Sequence, residues 1–114
     1  MNVGIIGSGG RENSICFSLS KSKKVDKIFS IPGNAGTAQI SQNLEIDINN
    51  FQEIKKAVDE NKIELLIIGP EKPLVDGIVD FFYDTNVKIF GPNKSASQLE
   101  GSKIFTKELC QKYN

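Results

Sequence analysis

Histidine and tryptophan are absent from the 114 residues, and cysteine occurs only twice, at Cys16 and Cys110. Without histidine the imidazole-based acid–base and nucleophilic schemes have no proton carrier. A zinc site would likewise need an unusual ligand set. The two thiols lack CxxC spacing and have apolar neighbours, which reads as buried structural cysteine. Charge of one sign is missing too: 14 basic residues offset 14 acidic ones. No net field therefore recruits nucleic acid or an anionic membrane. The densest basic group, Lys21, Lys23 and Lys24, reads as a solvated helix end. No basic leader precedes a long apolar stretch and no run is long enough to span a bilayer, so the cytoplasm is the expected location.

What is present suits a single domain with one core: 39% hydrophobic and 25% charged residues. Short runs rich in β-branched residues or phenylalanine predict strands at Val3–Ile6, Lys27–Ile31, Leu44–Ile48, Ile63–Ile68 and Val87–Phe90. The nearly continuous run "IELLII" has the character of a central parallel strand covered on both faces. Between these runs, helical spacing places Ile15, Cys16 and Leu19 on one stripe, and Phe51, Ile54, Ala57 and Val58 on a second. Leu74, Val75, Ile78, Val79 and Phe82 make a third, and all three stripes are expected in the core. The order β-α-β-β-α-β-α-β implies a parallel, Rossmann-like sheet with helices on both faces. After Pro92 a short helix closed by Gly101 is expected, then a new helix from Ser102 with Phe105, Leu109 and Tyr113 on one face. Gly4, inside the first strand, suggests close approach by a neighbouring element.

Chemistry concentrates in "GIIGSGGREN". A strand that breaks into Gly7, Gly9 and Gly10 and then enters a helix lets backbone approach an anion closely, with unpaired helical N–H groups facing it. Arg11 adds a charged, planar donor fork. A tight turn with no ligand is the alternative reading. A dinucleotide fingerprint is incomplete here, because Glu12 occupies the position of the third glycine and the second strand closes on Pro32 rather than on an acid. No GxxxxGK[ST] exists, which excludes a P-loop. Two further loops, "PGNAGT" (32–37) and "GPEKPLVDG" (69–77), follow strands and are expected at the same carboxyl edge. Glu71 there could accept hydrogen bonds from sugar hydroxyls, or simply favour a helix N-terminus.

The segments "GSGGREN", "PGNAGT", "GPEKPLVDG" and "IFGPNKSASQLEGSKIFTK" follow one another at spacings that resemble the N-terminal domain of phosphoribosylamine–glycine ligase (glycinamide ribonucleotide synthetase), over essentially the whole chain. The resemblance implies an α/β, Rossmann-like three-layer sandwich with a mainly parallel sheet. It assigns residues 1–101 to a substrate-binding domain and 102–114 to the start of a helix leading to an ATP-grasp domain not present in this chain. It further implies an ATP-dependent ligase of purine biosynthesis that joins glycine to 5-phosphoribosylamine through a glycyl phosphate. By resemblance, Gly9, Gly10 and Arg11 hold the sugar phosphate, and Glu12, Asn34, Gly36, Gly69, Pro70 and Glu71 line the ribose crevice. Lys103 looks like a lysine that reaches toward nucleotide phosphate. ATP and Mg2+ would serve the full-length enzyme, with no catalytic residue, metal ligand or cofactor held by this chain alone, which is therefore expected to be inactive. The partners implied are the small substrates and the ATP-grasp region, with neither nucleic acid nor membrane. One departure stands out: Asn13 occupies a position where the family usually has histidine, so any role needing a protonatable ring is lost. A related ATP-grasp purine enzyme, a nucleotide-binding Rossmann domain and a stand-alone interaction module remain alternatives.

Overall fold

The computed structural model describes residues 1–90. The expectations for residues 91–114, including Lys103, Cys110 and the terminal helix, lie outside the described residues. Within them the sheet has five parallel strands, four of them from the apolar runs: β1 (Asn2–Gly7), β2 (Lys27–Pro32), β3 (Gln42–Asn43), β4 (Ile63–Ile68) and β5 (Lys88–Phe90), β3 being the exception. Their spatial order is β3-β2-β1-β4-β5, so β1 is central. The chain builds outward from β1 to β2 and β3, then returns to β4 on the other side, leaving a topological switch point between β1 and β4.

Side chains alternate across this sheet. Val3, Ile5, Leu65 and Ile67 face α1 (Gly10–Ser20) and meet its buried stripe, Ile15, Cys16 and Leu19. Ile6, Leu66 and Ile68 face the other way, against Ile54 and Val58 of α2 (Phe51–Glu60). Each fully buried Leu or Ile contributes roughly 1.5–3 kcal/mol of transfer free energy. Gly4 lies on this second face, where a Cβ would come 2.8 Å from Cδ1 of Leu66 and 3.3 Å from Cδ1 of Ile63. The neighbouring strand closes over it, as its composition suggested. Asn50 starts α2 by accepting a hydrogen bond from the Glu53 N–H at 3.2 Å. None of the helices among the described residues is long and apolar enough to cross a membrane.

Two expectations are corrected. Leu44–Ile48 is not a strand; β3 is only Gln42–Asn43. The ladder ends after the Leu44 N–H donates to the Ser30 carbonyl (2.8 Å), since Pro32 at the end of β2 has no N–H for a further rung. Leu44, Ile46 and Ile48 still pack on the core from a turning segment, in which the Ile46 N–H donates to the Leu44 carbonyl at 2.8 Å, so the period of two came from docking rather than pairing. The third stripe also fails as one helix. Gly77 adopts a left-handed conformation (φ 94°) and splits it into α3 (Lys72–Val75) and α4 (Ile78–Phe81). Ile78 and Phe82 remain buried, while the break turns Val75 (81% exposed) and Val79 outward.

Cys16 is buried beside Ser30 and Ser41, whose hydroxyls bond each other at 2.7 Å. Burial pushes the thiol pKa up, and the serine hydrogen bonds only partly oppose this. The unfolded thiol ionises from about pH 8.5, so its contribution to stability is full below that and is lost as pH rises through the higher folded value. Urea unfolding of the native chain and Cys16→Ala at about pH 8 and about pH 10 should show a smaller alkaline loss for the variant. Equal losses would contradict the buried, neutral thiol.

Candidate functional site

The site begins where β1 runs out. Gly7 has φ 136°, a backbone conformation that side chains disfavour, and the chain then passes through Ser8 and Gly9 into α1. Gly10 and Arg11 form the first turn of α1, the end of a helix where N–H groups point away from the helical ladder. Three loops meet here. Gly33 N–H donates to the Gly7 carbonyl at 3.1 Å, and Gly69 N–H donates to the Ile6 carbonyl at 2.9 Å. Asn34 Nδ2 donates to the carbonyls of Ser8 (3.0 Å) and Gly9 (3.2 Å), while its Oδ1 accepts from the Thr37 N–H at 2.9 Å. Arg11 Nη1 donates to the Gly69 carbonyl at 3.2 Å. The loops after β1, β2 and β4 therefore form one hydrogen-bonded unit.

Beneath that unit lies Glu12, only 7% exposed. Its Oε2 accepts from the Gly9 N–H at 3.2 Å, half of a capping box. A Cβ on either Gly7 or Gly69 would overlap the Glu12 carboxylate, and one on Gly69 would also come within 2.8 Å of the Ile6 carbonyl oxygen. The glycines are thus required by a buried carboxylate as well as by any ligand.

The loops enclose a crevice of about 410 Å³ outside the carboxyl ends of β1 and β4. Of the site residues expected from the sequence, Gly9, Glu12 and Pro70 line it. Gly10 and Arg11 are exposed on the adjoining first turn of α1. Gly69 is buried behind the crevice, and Glu71 is exposed at the start of α3. Asn34 spends its side chain on positioning the first loop. Gly36 abuts Asn13 in a separate groove on the other side of α1, so the position that departs from the family pattern does not line this crevice. Ile46, Asp47 and Ile48 do line it and were missed. Their alternating pattern predicts a strand; the turn chemistry of "DINN", in which Asp47 Oδ1 accepts from the Asn49 N–H at 2.9 Å, is the signal that distinguishes the loop.

A family model described as "Phosphoribosylglycinamide synthetase, N domain" matches residues 1–100. A phosphoribosylamine–glycine ligase of Caldanaerobacter subterraneus subsp. tengcongensis is 47% identical over 113 residues, covering 99% of this chain and 27% of that protein. The enzyme of the same name from Clostridium acetobutylicum is 43% identical over 114 residues, again covering 27% of its length. A crystal structure of phosphoribosylamine–glycine ligase from Thermotoga maritima superposes with a TM-score of 0.55 at 32% identity, covering 99% of this chain and 25% of that one. The chain spans about a quarter of the length of these relatives.

Two alanine substitutions separate packing from propensity. Gly69→Ala should destabilise by roughly 1–3 kcal/mol, the usual cost of overpacking, because Glu12 or the Ile6 backbone must move. Gly10→Ala, with nothing within 4 Å of the new Cβ, should be neutral or stabilising by up to about 1 kcal/mol. Urea midpoints decide this. Equal effects would remove the buried carboxylate as the reason for Gly69.

Proposed function

The chain belongs to the phosphoribosylglycinamide synthetase N-domain family, and on that basis we propose that its crevice receives the phosphoribosyl substrate of an ATP-dependent ligase of purine biosynthesis. The observation that carries this reading is the joining of three loops into one unit around a crevice at the switch point, where open parallel sheets bind ligands. The two ends of 5-phosphoribosylamine need different surroundings, and the site offers both. Its phosphate is placed over the turn of Gly9, Gly10 and Arg11, where the start of α1 and the Arg11 guanidinium supply the donors while the Gly9 N–H stays with Glu12. Its ribose hydroxyls are placed toward the crevice, against Glu12 and Pro70, with Gly69, Glu71 and Asn34 on the surrounding loops; Gly36, in the separate groove beside Asn13, is left out of this placement.

The dinucleotide reading meets a physical obstacle. The third-glycine position is filled by a buried carboxylate, and β2 closes on Pro32 with no acid to hold a ribose hydroxyl. In a whole ligase of this family, activation of glycine by ATP and Mg2+ would fall to the part of the protein that this chain does not span, with Lys103 a nucleotide contact by resemblance alone. Phosphoryl transfer rests on metal ions and a closed electrostatic site, and we assign no catalytic residue to this chain.

Arg11 provides the test. Calorimetric titration with ribose 5-phosphate should show Arg11→Ala binding more weakly by roughly 1.5–3 kcal/mol, as for a lost hydrogen bond to a charged group. Unfolding stability should fall by no more than about 1.5 kcal/mol, the net worth of the side chain's hydrogen bond to the Gly69 carbonyl. Intact affinity with a large loss of stability would make Arg11 a structural clasp for Gly69 and defeat this placement of the phosphate.

A further inference from the structure

Dinucleotide-binding sheets keep a glycine at the third position of the loop so that helix and strand pack closely beneath a bound pyrophosphate. Here that position holds Glu12, whose carboxylate fills the space against Gly7 and Gly69 and takes up the Gly9 N–H at 3.2 Å. That N–H is one of the donors a phosphate seated deep on the loop would use. Asp47 lines the same crevice from the segment after β3, and among the described residues no lysine or arginine lines it. The crevice wall thus carries two carboxylates, whereas the nearest cation of the glycine loop, Arg11, lies on the adjoining exposed turn.

We propose that Glu12 is a specificity-determining residue: its buried carboxylate admits a sugar phosphate monoester with the uncharged end inward and turns away a second phosphate. The monoester half rests on the functional reading above; the exclusion of diphosphates does not. A carboxylate is a hydrogen-bond acceptor only, so it suits the hydroxyl or amine end of a small sugar derivative. A second phosphate in the crevice would face the like charge of Glu12 and Asp47 at close range, and such a juxtaposition opposes binding.

The experiment compares the 114-residue chain with Glu12→Gln, using inorganic pyrophosphate and ribose 5-phosphate as probes in separate calorimetric titrations at one pH and ionic strength. Glutamine keeps the side-chain length and an oxygen for the Gly9 N–H, but not the charge. The substitution is expected to strengthen pyrophosphate binding about tenfold or more and to weaken ribose 5-phosphate binding, whose hydroxyls lose a charged acceptor, so that the preference between the two probes narrows or reverses. A variant that discriminates as the native chain does, or that still binds no pyrophosphate, overturns the proposal. If the variant does not fold, the native chain decides: pyrophosphate must bind at least about tenfold more weakly than ribose 5-phosphate, and equal or tighter binding overturns the proposal. Failure of ribose 5-phosphate to bind the native chain, with pyrophosphate binding gained in the variant, defeats the functional reading alone and leaves the role of Glu12 standing.

Discussion

A carboxylate with almost no solvent, held under a loop of glycines, sets the geometry of this molecule's sheet edge. Glu12 needs the space that a Cβ on Gly7 or Gly69 would occupy. Two loops far apart in the chain are therefore constrained to glycine by one side chain on a third element, α1. The capping bond from Gly9 aims the first helical turn, and Arg11, one residue before Glu12, reaches the Gly69 carbonyl. Loss of the carboxylate would release the register between helix and sheet edge at the point where a ligand is received.

The sheet makes this arrangement available. With β1 central and the chain leaving it in opposite directions, the loops after β1 and β4 cannot cover one another, and an opening remains between them. Inner strands buried on both faces hold the opening in place, since every residue from Leu65 to Ile68 is fully buried. Asn34 completes the frame from the side by joining the second loop to the carbonyls of the first. Rigid strands thus carry loops that are fixed by polar contacts with one another, and the exposed amides of α1 are left facing outward.

Much of this was legible in the residues. Strand β4 has the bounds its apolar run implied, because burial on both faces from Leu65 to Ile68 leaves Glu64, near its start, as the one polar residue in it. The stripes of α1 and α2 were equally clear, and the convergence of three glycine-bearing loops followed from parallel topology alone. Two failures have physical causes. Leu44, Ile46 and Ile48 alternate as a strand does, but alternation reports which side chains face the core and not which N–H groups find partners. Val75 and Val79 fit a helical stripe until Gly77 turns left-handed, a choice that local spacing does not reveal. The same limit hid Asp47 and Ile48 from the site, and hid the positioning role of Asn34 behind a ligand role. The inward turn of Glu12 was invisible for a related reason: its partners, Gly7 and Gly69, are read as ligand glycines whenever the carboxylate is not in view.

The central claim is that the loops after β1 and β4 act as one binding unit for a phosphorylated sugar. Backbone amide chemical shifts of the chain, followed by NMR while ribose 5-phosphate is added, test it most directly. The account predicts that amides of residues 7–12 and 69–72 move along one common binding curve, and that NAD at the same concentrations moves neither group. Movement confined to one of the two loops, or a response to NAD without one to ribose 5-phosphate, would contradict it.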